Sequence, residues 1–97
     1  MALKIKWSKR SVKQFSKIQE YLQLEFGDNT RKSFVRKAFT IIDCLKEFPE
    51  LGSLEVKEKQ IRGFLITKHN RLFYRYSDTE LVILNIFDTR QDPSKTV

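Results

Sequence analysis

The chain has 97 residues, 40% of them hydrophobic, with eight Phe, three Tyr and one Trp, enough apolar material for one modest core and so for one domain over 1–97. No run approaches the roughly 18 continuous apolar residues of a membrane span, one Cys makes no internal disulfide, and one His beside one Cys is too few for a zinc site, so no metal and no cofactor is expected. Nineteen Lys and Arg against twelve Asp and Glu give a net charge of +7, a field that attracts nucleic acids and acidic proteins alike.

Leu3-Lys4-Ile5-Lys6-Trp7 alternates with period two and predicts a first strand. Its interspersed charges leave no continuous apolar stretch of the signal-peptide kind, so a cytoplasmic location is expected. Ser8 is placed to cap a helix over residues 9–26, where Val12, Phe15, Ile18, Leu22 and Phe26 recur at helical spacing and Gly27 stops the pattern. Asp28, Asn29 or Thr30 caps a second helix, whose stripe of Phe34, Val35, Ala38, Ile41, Ile42 and Leu45 runs up to Pro49. The short link makes the two an antiparallel hairpin, and Cys44, in an apolar stretch, reads as a small buried hydrophobe. Phe48 to Ser53 is a turn-rich connection, and Leu54 to Gln60 is charged and the least ordered part expected.

Three strands follow, IRGFLIT, RLFYRY and LVILNIF, separated by Lys68-His69-Asn70 and Ser77-Asp78-Thr79-Glu80. Loops with an even number of residues would pair positions whose numbers sum to an odd value. Arg62, Arg71, Arg75 and Arg90 then project from one face beside Asp88, while Ile61, Leu65, Leu72, Tyr74, Ile83 and Phe87 form the other, burial-ready face. The fold expected is α+β: an N-terminal strand, a helical hairpin and a three-stranded antiparallel meander, with the helices packed on one face of a small antiparallel sheet. On that assignment the open face also carries Phe64, Ile66, Phe73, Val82, Leu84 and Ile86, more apolar surface than a free monomer shows. Phe64, Ile66, Phe73 and Leu84, rimmed by arginines, are the expected seat of an acidic amphipathic partner segment.

Each of these features also has a plain structural reading. Arginines in exposed strands blunt aggregation; Tyr74 and Tyr76 belong to the core or its edge; His69 sits in a hairpin turn; Asp88, Arg90 and Asp92 make an ion-paired end to the sheet.

The order of elements, the phrase Phe48-Pro49-Glu50-Leu51-Gly52, Ile61-Arg62, Arg71-Leu72-Phe73-Tyr74-Arg75 and the ending Ile83 to Pro93 together resemble the RelE/ParE toxin superfamily, the plasmid-stabilisation toxins of bacterial type II toxin-antitoxin systems. The resemblance implies a cytoplasmic toxin that arrests growth and is neutralised by a cognate antitoxin, as a hetero-oligomer with it or a homodimer without it. In the ribonuclease branch, basic side chains of the open sheet face hold messenger RNA on the ribosome and a late Tyr or His moves a proton. Carried over, Arg62, Arg71 and Arg90 with Asp88 would form the catalytic set, and Arg62, Arg71, Arg75 and Arg90 would contact the target. Three positions and the tail depart from that branch: Phe64 replaces a lysine, Gln91 an arginine, Asp88 a histidine, and Ser94-Lys95-Thr96-Val97 holds neither Tyr nor His. The departures favour the ParE branch, which poisons DNA gyrase by protein contact, over the ribonuclease alternative; a non-toxic basic nucleic-acid-binding domain is the third reading.

Overall fold

The computed structural model describes residues 2–90. Its elements are β1 (Lys4–Trp7), α1 (Lys9–Phe26), α2 (Asp28–Glu47), a single 3-10 turn (Pro49–Leu51), β2 (Ser53–Val56), β3 (Ile61–Thr67), β4 (Asn70–Tyr76) and β5 (Glu80–Asp88). Helix α1 begins where Ser8, in extended conformation, accepts a hydrogen bond from the Ser11 amide on its side chain. It ends at Gly27, whose φ of +94° only glycine adopts without strain and whose N–H reaches the Leu22 and Gln23 carbonyls. The same glycine opens α2, so the polar cap expected at Asp28, Asn29 or Thr30 is not used. Asp28 instead pairs from the first turn with Arg31 at 2.7 Å and Lys32 at 3.0 Å.

The five strands lie in the order β1-β5-β4-β3-β2. Strand β1 pairs parallel with β5, the other neighbours antiparallel. The stretch expected to be least ordered therefore supplies a strand, β2, and a turn that closes on β3 through Gln60 at φ 55°. Beyond β1, helix α1 covers the free edge of β5: Ser8 Oγ donates to the Leu84 carbonyl at 2.9 Å and Gln14 Oε1 accepts from the Ile86 amide at 2.8 Å.

Both later hairpins start in the register expected of even loops and then leave it. Thr67 faces Asn70, but the next pair inward is Leu65 with Arg71, with Ile66 left as a bulge. Likewise Tyr76 faces Leu81 and Tyr74 faces Ile83, but Phe73 faces Asn85, so Leu84 is the second bulge. Each insertion exchanges the faces of everything beyond it. The helix-facing side of the sheet thus carries Phe64, Ile66, Leu72, Tyr74, Leu81, Ile83 and Ile86, packed on Ile18, Leu22, Phe34, Ala38, Ile42 and Leu45. Leu65 and Phe87, expected inside, lie on the open face, Leu65 half exposed. Val12 and Phe26 at the ends of the α1 stripe are also half exposed, and Cys44 points outward rather than into the core.

The Phe48-Pro49-Glu50-Leu51-Gly52 turn is tied to the core by one side chain. The fully buried Tyr74 hydroxyl donates to the Pro49 carbonyl and accepts from the Gly52 amide at 2.9 Å. A Cβ on residue 52 would sit 2.6 Å from that hydroxyl, so only glycine fits. Arg62 Nη1 adds hydrogen bonds to the Gly52 and Glu50 carbonyls at 2.8 and 3.2 Å. Gly52→Ala is expected to cost about 1–3 kcal/mol by overpacking, and Tyr74→Phe about 1–3 kcal/mol by orphaning the amide. Because the two share one contact, the double variant should lose less than the sum by about 0.5 kcal/mol or more in urea titrations. Strict additivity would show that something other than the Tyr74 hydroxyl demands Gly52.

Candidate functional site

The open face of the sheet is built by the alternation of β4. Arg71, Phe73 and Arg75 project from it, opposite Phe87, Asn85 and Val82 of β5 and beside Leu65 and Gly63 of β3. Register places Lys4 and Lys6 on the same face, level with Glu80 and Val82. Lys6 pairs with Glu80 at 3.1 Å. At the other edge, Ser53 faces Gly63 and brings Glu55 over the sheet.

Arg71 is the centre of this face. Its guanidinium lies 5.7 Å from the Phe73 ring centroid, and its Nη2 is 3.2 Å from Glu55 Oε2 and 3.4 Å from Ser53 Oγ, which in turn donates to Glu55. Phe73 also meets Phe87 edge to face at 5.7 Å, so that it is 3% exposed although it points away from the helices. Gly63 makes this possible. A Cβ there would stand 3.0 Å from Arg71 Nη2 and 3.1 Å from both Glu55 Cγ and Phe73 Cε1. Arg75 is exposed and, among the described residues, makes no ion pair, and the buried Oδ1 of Asn85 has no hydrogen-bond partner.

The four arginines expected on one face are divided. Arg71 and Arg75 share the open face; Arg62 is on the other, at 5.9 Å from the Tyr76 ring centroid and holding the turn before β2. Arg90 folds toward α1, at 5.0 Å from the Phe26 and 6.0 Å from the Tyr21 ring centroid. Asp88 turns inward with it. Its buried carboxylate accepts from Asn70 Nδ2 at 2.7 Å, from the Arg90 amide at 2.8 Å and from Arg90 Nη2 at 3.1 Å. The expected apolar strip is likewise dispersed: Ile66 is buried against the helices, Phe64 packs on the same core, Phe73 is covered on the opposite face, and Leu84 is the bulge whose carbonyl holds Ser8. The physical reason is the same in each case, the change of parity at the two bulges. Gln91, Asp92 and the tail Ser94 to Val97 lie outside the described residues.

Ser53 and Gly63 were missed as site residues. The signal was present in Gly63, a glycine within an otherwise bulky strand, which marks a close approach. Chemically, the face offers an immobilised cation, a free cation and an aromatic backing, a surface for anions or carboxylates. Two proton carriers are engaged: Tyr74, its pKa raised above 10.0 chiefly by burial, in the turn anchor, and Glu55 with Arg71 on the face itself. No group of three potential metal ligands occurs among the described residues.

Burial pushes the Asp88 carboxyl up, but the hydrogen bonds from Arg90 and Asn70 outweigh it and hold the pKa below the ordinary 3.8. A depressed folded-state value contributes stability that is complete above 3.8 and is lost as pH falls through the lower folded value. Asp88→Asn should lower the urea midpoint at neutral pH, since it leaves Arg90 facing no charge. Its deficit relative to wild type should shrink steadily as the pH drops below 3.8. A deficit that stays constant into strong acid would mean that the carboxylate is not ionised in the fold.

Comparison with known structures sets this geometry among relatives. A chain of the chromosomal ParDE TA system from P. aeruginosa fits with a TM-score of 0.73 at 16% identity, covering 90% of this chain and 96% of that one. A YoeB/ParE toxin from Agrobacterium tumefaciens fits with 0.64 at 20% identity over 89% and 98%. A chain of the E. coli DinJ-YafQ toxin-antitoxin complex fits with 0.63 at 14% identity over 95% and 98%. At these identities the likeness is one of fold. A search of curated protein sequences returns no match. The family model for the ParE toxin of the type II toxin-antitoxin system parDE matches residues 5–93, nearly the whole chain with both the Arg71 face and the Tyr74 anchor, and the chain belongs to that toxin family.

Proposed function

We infer that this toxin acts by protein contact on DNA gyrase, that it arrests growth in the cytoplasm, and that its cognate antitoxin neutralises it, the arrangement by which such pairs stabilise plasmids. The observation that carries the reading is that Asp88, Tyr74 and Glu55, three proton carriers packed among the arginines, are all engaged, leaving only Tyr76 and Glu80 beside Arg75. Asp88 is buried under Arg90, the Tyr74 hydroxyl is engaged twice, and Glu55 is held by Arg71 and Ser53. Charge stabilisation by arginine alone lacks the acid–base assistance that is worth about 10² to 10⁴ in rate. A cationic face with little room for chemistry fits the recognition of a protein surface. The antitoxin, an acidic chain on this reading, meets the same face through Arg71, Arg75 and the exposed Leu65 between the strands.

The ribonuclease reading retains one observation of its own, a cation and a carboxylate, Arg71 and Glu55, 3.2 Å apart on the open face. Induced expression should arrest a bacterial host. Arg75→Ala and Arg71→Ala should relieve the arrest at unchanged protein level, Arg75→Ala with stability within about 0.5 kcal/mol of wild type because its charge is exposed. Purified protein should inhibit supercoiling by gyrase, and transcripts taken shortly after induction should show no new 5′ ends. Discrete ribosome-dependent cuts with normal supercoiling would replace the gyrase reading with the ribonuclease one, and growth without arrest would remove both.

A further inference from the structure

Away from the open face, a cleft of about 600 Å³ opens where the first turns of α2, the β3–β4 turn and the end of β5 meet. Thr30, Ser33 and Lys37 line it from α2, Lys68 and His69 from the turn, and Arg90 from the end of the sheet. Its floor is Leu22 and Phe34, which are 1% and 3% exposed. The floor is therefore closed by side chains whose surface is already spent on the core, and the rest of the lining is mixed, the stems and heads of polar and basic residues.

The charge of the cleft is uncompensated. No Asp or Glu lines it. Arg90 is balanced by Asp88, but Lys37 and Lys68 make no ion pair among the described residues. Asp28, at the start of α2, is already held by Arg31 and Lys32. Two free ammonium groups thus stand on opposite walls, α2 on one side and the turn on the other. Ser33 and His69 line the same cleft.

The geometry points to a phosphate-binding site for a nucleic-acid backbone, separate from the open-face arginines and independent of which cellular target the toxin has. A peptide segment binds best through a large apolar anchor, and the two large apolar side chains of the cleft, Leu22 and Phe34, are not free to receive one. A single small anion would need donors converging on one point, whereas Lys37 and Lys68 are flexible point charges on facing walls, suited to successive phosphates. No base edge needs to be read, so the contact is one that positions rather than selects.

The test is titration of a short fluorescein-labelled DNA duplex, and in parallel a labelled single-stranded RNA, with the full chain at several salt concentrations. Lys37→Ala/Lys68→Ala should weaken binding about ten-fold or more at low salt and reduce the slope of log affinity against log salt by about 1.8 for DNA, since each phosphate contact contributes about 0.9. Lys9→Ala/Lys13→Ala removes the same charge from the far end of α1 and should leave the slope near that of wild type. Both pairs are exposed, and circular dichroism verifies that the variants fold. Binding of either nucleic acid with this dependence bears the site out. No binding, an equal loss in both double variants, or an unchanged slope in Lys37→Ala/Lys68→Ala would overturn it. So would a polyglutamate peptide that needs these two lysines when neither nucleic acid does.

Discussion

Strand β4 alternates without interruption, Asn70, Leu72 and Tyr74 toward the helices and Arg71, Phe73 and Arg75 away from them, and its neighbours must match it through two bulges at Ile66 and Leu84. A bulge spends one unpaired residue to change which face its strand presents. Here the change brings Ile66 and Ile86 into the core and sends Leu65 and Phe87 out of it. It also turns Asp88 inward, where its charge requires Arg90 and Asn70 as partners. The same parity leaves Arg71 over Phe73 on the opposite side, so the core and the cationic face are two results of one register.

The Tyr74 anchor acts on both faces. From the helix side it pins the Pro49–Gly52 turn, and the turn delivers β2 against β3 with Ser53 opposite Gly63. That pairing carries Glu55 over the sheet to Arg71. A tyrosine buried in the core thereby sets the orientation of a guanidinium on the far face, through a glycine at each crossing: Gly52 beneath the hydroxyl and Gly63 beneath the arginine.

Helical periodicity was the legible part of this chain. The α1 bounds, its Ser8 cap and the Gly27 stop follow from spacing and residue type, because each is decided within a few residues. The faces of the sheet were not legible, since a bulge has no local signature when its flanking residues are Leu65 and Thr67 or Ile83 and Asn85. Strand β2 was hidden for a related reason: Ser53-Leu54-Glu55-Val56 is a short edge strand with three exposed side chains, and its pairing is decided by a tyrosine 20 residues away or so in the chain. Arg90 beside Tyr21 and Phe26 is a contact between opposite ends of the sequence that no spacing rule announces. The motif phrases that carried the family resemblance were sound because they mark the anchor turn and the sheet ends, not because their arginines gather.

The parallel pairing of β1 with β5 joins the beginning of the chain to its last strand, and Ser8 sits at that seam. Its amide reaches the Ile83 carbonyl and its hydroxyl the Leu84 carbonyl, while its oxygen caps α1. On a ribosome, residue 8 emerges long before residue 84, so the local cap to Ser11 can form early while the β1 edge waits until β5 has been synthesised. The cationic face needs β5 beneath Phe73 in the same way. A chain that ends before β5 therefore lacks the strand on which both of its faces are assembled.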